Sequence, residues 1–99
     1  RVFEDENGEM NLSAIDIDGE VLAISQFTHC ADIKKGNRPS FTGAAQPDYA
    51  NELYEYFQEQ LKANGIKNVE HGLFGEDMKV DIQNDGPVTI LMDSTIWKK

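Results

Sequence analysis

Apolar and polar residues alternate along Met78-Lys79-Val80-Asp81-Ile82-Gln83, the period-two pattern of a strand with one buried face. A second apolar run, Val88 to Met92, follows. Between them, Asn84-Asp85-Gly86-Pro87 predicts a tight turn joining two strands. Proline is unusual in such a turn, because it removes a backbone donor and fixes φ. It also brings the cis peptide within roughly 0.5–1 kcal/mol of trans. A rigid Gly-Pro unit at a strand end holds its carbonyls against a ligand with little freedom to yield. A plain turn with an edge-strand proline fits the same residues.

Earlier in the chain the pattern predicts a second hairpin over 12–28. Leu12 to Ile17 alternates, Asp18-Gly19 supplies the turn, and Glu20 to Thr28 returns. The near-continuous apolar run Val21-Leu22-Ala23-Ile24 predicts a central strand. It ends in Ser25-Gln26-Phe27-Thr28, where period two would put Gln26 and Thr28 on one face and Ser25 and Phe27 on the other. Polar side chains at the end of a buried strand are costly unless bonded, so they are either satisfied inside the fold or kept for a ligand.

The spacing changes to helical over 47–64. Ala50, Leu53, Tyr54, Phe57 and Leu61 form one apolar stripe, Pro47 suits the first turn, and Gly65 supplies the stop. Asp48, Glu52, Glu55 and Glu59 make the opposite face acidic. A short strand is expected near 68–71, followed by a bend at Gly72 and Gly75. Residues 94–99 read as a tail, with Trp97 either on the surface or against a partner.

Composition narrows the picture. Ninety-nine residues make one small domain, 1–99. Val2-Phe3 looks like the end of an apolar element, so the chain is expected to be a fragment or a partner for another chain. No apolar run reaches the roughly 20 residues of a membrane span. A single cysteine, Cys30, leaves no internal disulfide and suits a reducing, cytoplasmic setting. The net charge of −9 argues against broad nucleic-acid binding. The charge is uneven, however: Lys34, Lys35 and Arg38 fall together with no acid among them. A solvated loop and a phosphate contact both fit that cluster.

Metal and thiol chemistry find little support. Residues 4–11 are acidic, but counting an EF-hand from Asp5 puts Met10 where glycine belongs, so a solvated turn at Asn7-Gly8 is expected. His29 and Cys30 have no second ligand pair at zinc spacing, and nothing marks Cys30 as an activated thiolate. No metal or cofactor is expected. The loop 29–46 is long for so small a domain, which points to function.

Two segments then stand out together. Ser25-Gln26-Phe27-Thr28, followed by Ala31-Asp32, Lys35-Gly36-Asn37-Arg38-Pro39-Ser40-Phe41 and Ala44-Ala45, resembles the SQFT signature region of the D-aminoacyl-tRNA deacylases, once called D-tyrosyl-tRNA deacylases. Asn84-Asp85-Gly86-Pro87-Val88-Thr89 resembles the family's NxGPxT motif. Leu53-Tyr54 and Phe74-Gly75 with Asp77-Met78 and Val80 fit in the same order, so the likeness covers Arg1 to about Asp93. Family chains carry a sizeable stretch before the point matching Arg1. His29 stands where they commonly have an apolar residue, and Glu76 where alanine is common.

The resemblance implies an α/β, DTD-like fold: an antiparallel-rich sheet or barrel with one main helix packed on it, here without the N-terminal portion. It implies a homodimer that hydrolyses D-aminoacyl-tRNA at the ester to the 3′-terminal adenosine, with the Gly-Pro motif crossing between subunits. By this likeness Ser25, Gln26, Phe27 and Thr89 are catalytic-site residues, and Asn84, Gly86, Pro87 and Met78 bind substrate. Lys34, Lys35 and Arg38 become candidates for tRNA contact. Gly86 and Pro87 would exclude L side chains sterically, which leaves achiral glycine as a substrate. Thr89 is read as nucleophile or positioner. A non-catalytic binding or assembly fragment of the same fold is the competing reading.

Overall fold

Helix α1, Pro47–Ala63, dominates the computed structural model, which describes residues 1–97; the Trp97 side chain and the lysines after it, part of the expected tail, lie outside the described residues. Pro47 occupies the first turn, where its missing N–H costs nothing. The far end closes as a Schellman motif. Ile66 N–H donates to the Leu61 carbonyl (3.0 Å) and Gly65 N–H to the Lys62 carbonyl (3.2 Å). Gly65 takes φ +113°, a conformation L side chains rarely adopt. The helix predicted from spacing is therefore present almost to the residue.

Two strand pairs flank it. Strands β1, Phe3–Glu4, and β2, Met10–Leu12, pair antiparallel, with Phe3 opposite Leu12 and an irregularity after it. Asp5 organises the connecting turn: Asn7 and Glu9 N–H groups donate to its Oδ1 at 2.9 and 3.0 Å. The acidic stretch is thus a turn, as its Asn-Gly pair predicts. Strands β3, Val21–Ala23, and β4, Val69–His71, pair parallel, with Val21 opposite Val69 and Ala23 opposite His71. Helix α1 is the crossover between them, so β3-α1-β4 is a βαβ unit.

This departs from the expected hairpin over 12–28. After β2 the chain coils at 13–19 instead of extending. Asp16 N–H donates to Ser13 Oγ (3.1 Å) while Ser13 N–H donates to Asp16 Oδ2 (2.8 Å), a reciprocal capping pair. Gly19 N–H then closes on the Ala14 carbonyl at 2.7 Å. Local side-chain bonds outcompete the alternation. Strand β3 is consequently not central: among the described residues it has one neighbour, and Leu22 is 59% exposed.

The expected strands at 78–83 and 88–92 form no ladder. An alternating pattern specifies an extended backbone, but a strand needs a neighbour for its N–H and C=O groups, and none pairs with this segment among the described residues. No antiparallel-rich barrel closes among those residues. Ser94–Trp97 forms a final 3-10 turn. Among the described residues, Ala23, Ile66 and Val69 are the buried apolar ones, all in or beside the βαβ unit. The helical stripe is only partly covered: Ala50, Tyr54 and Leu61 are half-buried, whereas Leu53 and Phe57 remain exposed.

Candidate functional site

Where β3 ends, its ladder ends too. Gly72 N–H donates to the Ala23 carbonyl at 3.3 Å, the last bond holding the two strands together. Without a further partner the chain leaves the sheet and winds into a 3-10 turn, Phe27–Cys30. The strand alternation expected for Ser25 to Thr28 is therefore corrected: a helical turn at Phe27 breaks period two. Gln26 precedes the turn and makes no side-chain capping bond. The first N–H groups of any such turn lack intrahelical partners, and those of Phe27 and Thr28 have none among the described residues.

A cavity of about 490 Å³ opens beside this turn. Ser25, Gln26, Phe27 and Cys30 form one wall. Ala44, Ala45, Pro47 and Ala50, from the approach to α1 and its first turn, form the second. Phe74, Gly75, Glu76 and Met78 close the third. Phe27 is 58% exposed and packs in a T-shaped pair with Phe41, with ring centroids 5.2 Å apart and planes at 74°. This contact steadies the ring while leaving more than half of the residue exposed.

Tyr54 sets the position of the cavity. Its hydroxyl donates to the Ala23 carbonyl at 2.7 Å, with the Gly72 carbonyl 3.3 Å away. One side chain therefore ties α1 to both strands at the point where the cavity begins. Its ring also meets Phe74 at 6.0 Å between centroids. Sequence reasoning placed Tyr54 in an apolar stripe and missed the tether; the one stripe residue with a hydroxyl that needs a partner was the available signal. Gly72 matters for a similar reason: a Cβ there would run into Met78 Sδ.

The cationic loop is better ordered than its length predicts. Asp32 N–H donates to the Ser40 carbonyl (2.6 Å) and Ser40 N–H returns to the Asp32 carbonyl (2.8 Å). Asp32 Oδ1 accepts from Lys34 N–H at 2.9 Å, and Gly36 turns with φ +71°. Lys34, Lys35 and Arg38 are exposed on this closed loop. Among the described residues the ion pair present is Lys67 with Asp18 (3.4 Å), so the three cations have no acidic partner there.

The structure thus brings Ser25, Gln26, Phe27 and Met78 together and leaves the second signature apart. Asn84, Gly86, Pro87 and Thr89 are exposed and do not line the cavity. The Gly86–Pro87 bond is cis, with Gly86 at φ +125°. No group of three or more His, Cys, Asp or Glu side chains is placed to hold a metal among the described residues. No helix there is long and apolar enough to cross a membrane.

Comparison with known proteins bears on these features. The family model described as D-Tyr-tRNA(Tyr) deacylase matches residues 1–93. The chain is 57% identical over 94 residues to a D-aminoacyl-tRNA deacylase of Koribacter versatilis, covering 95% of this chain and 62% of that one. It is 58% identical over 94 residues to the D-aminoacyl-tRNA deacylase of Macrococcus caseolyticus, with the same coverage of 95% and 62%. Among solved structures it is similar to the c-Myc DNA Unwinding Element Binding Protein, with TM-score 0.77 and 44% identity, covering 91% of this chain and 61% of that chain. The chain spans about three-fifths of the length of the curated relatives it matches.

Proposed function

The chain belongs to the D-Tyr-tRNA(Tyr) deacylase family, and from that premise we propose that the protein hydrolyses the ester between a D-amino acid and the 3′-terminal adenosine of tRNA. The products are free D-amino acid and tRNA, and the step is chiral proofreading of translation in the cytoplasm. Glycyl-tRNA is a second substrate on the same reading. The observation that carries it is the convergence of Ser25, Gln26, Phe27 and Met78 on one cavity, with the Phe27 residue largely exposed beside it.

Each group has a role consistent with its chemistry. Phe27 stacks on the terminal adenine, an interaction worth about 1–3 kcal/mol per base. Ser25 and Gln26 position the ester and ribose. The unpartnered N–H groups of Phe27 and Thr28 point to polarisation of the ester carbonyl, where charge develops as water adds. Water attacks the carbonyl carbon, the bond to the ribose oxygen breaks, and that oxygen takes a proton. The vicinal ribose 2′-hydroxyl assists the water. Lys34, Lys35 and Arg38 engage phosphate and offset the acidic body locally.

Gly86 and Pro87 supply the chiral wall to a second subunit's cavity in a homodimer. Their absence from their own chain's cavity is what a crossing arrangement requires. Thr89 and Asn84 hold that motif in register. Thr89 is a positioner, since no base activates it. Thr89→Ala should therefore retain substantial activity, whereas loss of nearly all of it identifies a nucleophile. The main test is cleavage of matched D- and L-aminoacyl-tRNA by the natural full-length protein. Strong preference for the D ester is expected; equal cleavage of both rejects the proposal.

The second reading, a non-catalytic binding or assembly fragment, is favoured by the scarcity of buried apolar residues among the described ones, Ala23, Ile66 and Val69. A 99-residue chain that stays a folded monomer without binding aminoacyl-tRNA would support it. The DNA-binding name of the solved neighbour carries less weight here, because a net charge of −9 opposes general contact with a duplex.

A further inference from the structure

The cavity is apolar on most of its surface but carries one carboxylate, Glu76; no Lys, Arg or His lines it. Glu76 ends a tight turn. Its N–H donates to the Leu73 carbonyl at 3.3 Å, and Gly75 before it takes φ +79°. Phe74, inside the same turn, packs against Tyr54, whose hydroxyl is anchored to β3. The turn is therefore tied to the βαβ unit rather than free. Among the described residues Glu76 forms no ion pair. Glu76 lines the cavity but is itself exposed, so a pair it forms there is weak and salt-sensitive.

We propose that Glu76 is the counter-ion for a cationic group on the esterified amino acid, and so helps determine specificity in the deacylase reaction; this rests on the function proposed above. The substrate offers such a group in two places. Every aminoacyl ester carries an α-ammonium, and lysyl and arginyl esters carry a second cation. The nucleic-acid end of the same substrate is anionic. Glu76 attracts one end and repels the other, while Lys34, Lys35 and Arg38 do the reverse. A site of mixed sign thereby orients the substrate before any contact with the base is made.

The test is Glu76→Gln in the natural full-length protein, comparing kcat/KM on four tRNA esters: D-methionyl, D-lysyl and the Nα-acetyl form of each. An exposed pair predicts a roughly two- to five-fold loss on cationic substrates, carried by KM and reduced by added salt. Loss on D-methionyl-tRNA but not on Nα-acetyl-D-lysyl-tRNA assigns the pair to the α-ammonium. The opposite pattern assigns it to the side chain. Nα-acetyl-D-methionyl-tRNA has no cation and should be unaffected in both cases. An equal change on all four esters, or no change on any, overturns the proposal. Glu76→Lys provides a second variant, with a larger loss on the cationic esters expected. The D-to-L ratio of the unsubstituted protein is a separate readout: its failure rejects the deacylase reading, while the cation-to-neutral ratio judges Glu76.

Discussion

The βαβ unit and the segment 79–92 carry similar apolar patterns and meet different fates. In the first, Ala23, Ile66 and Val69 are buried, and Tyr54 bonds helix to sheet. In the second, Val80, Ile82, Val88, Ile90, Leu91 and Met92 all stay exposed, Leu91 at 89%. The radius of gyration of 16.2 Å exceeds the roughly 13 Å of a compact domain this size. Apolar alternation measures a capacity for burial; the fold must still supply a second surface. The βαβ unit contains its own, because the crossover helix returns the chain to the same sheet. The later segment has none among the described residues.

Paired truncations sharpen this contrast. In the 99-residue chain, Ile66→Ala should cost about 2–4 kcal/mol by urea denaturation, because it empties a buried site beneath the helix stop. Ile90→Ala should stay within about 0.5 kcal/mol, as for other exposed positions. Equal costs would break the comparison.

Phe27→Ala probes the functional side of the same boundary. The ring is exposed and makes an edge contact with Phe41, so its removal should leave stability nearly unchanged. Deacylation of D-aminoacyl-tRNA should fall by about 1–3 kcal/mol of transition-state stabilisation, or roughly five- to 150-fold in kcat/KM. A large drop in stability with little change in kcat/KM would make Phe27 a packing residue.

What the sequence made legible follows the same division. Helix α1 was readable because Pro47, the apolar spacing and Gly65 are local signals, and its terminal hydrogen bonds are local too. The Asn7-Gly8 turn was readable for the same reason. The hairpin over 12–28 does not form because Ser13 and Asp16, polar positions in an alternating pattern, bond each other as a capping pair. The parallel pairing of β3 with β4 depends on contacts between residues about fifty positions apart, which no short pattern encodes. One wall of the site, Ser25 to Phe27, was found through its resemblance to a signature. Cys30 joins that wall through the 3-10 turn, and Pro47 and Ala50 reach the cavity only through the packing of α1.

Tyr54→Phe tests whether the tether, rather than apolar burial alone, holds the first region. The substitution keeps the ring contacts and removes one hydroxyl. The Ala23 carbonyl still accepts from Gly72 N–H, so no acceptor is stranded and the cost should be about 0.5–1.5 kcal/mol. Faster amide exchange is expected at Gly72, at the junction of β4 and the cavity. Unchanged exchange there would mean that packing alone maintains the junction.

The smallest effect belongs to the turn before β2, a region held by polar bonds rather than by burial. The Asp5 carboxyl is held below its ordinary value of 3.8, first by the Glu9 N–H and also by that of Asn7. Asp16 is lowered in the same direction by the Ser13 N–H and hydroxyl. A depressed folded-state value means that the ionised form is favoured by folding. The contribution is therefore complete above the unfolded value and disappears as pH falls through the lower folded one. Acidification below pH 4 should open the Asp5 turn while the Tyr54 tether and the βαβ unit persist. Carboxyl titration by NMR should give Asp5 a midpoint below 3.8, with loss of amide protection at Asn7 and Glu9 on the same curve. A midpoint at or above the ordinary aspartate value would mean that those two N–H bonds do not hold the turn in solution.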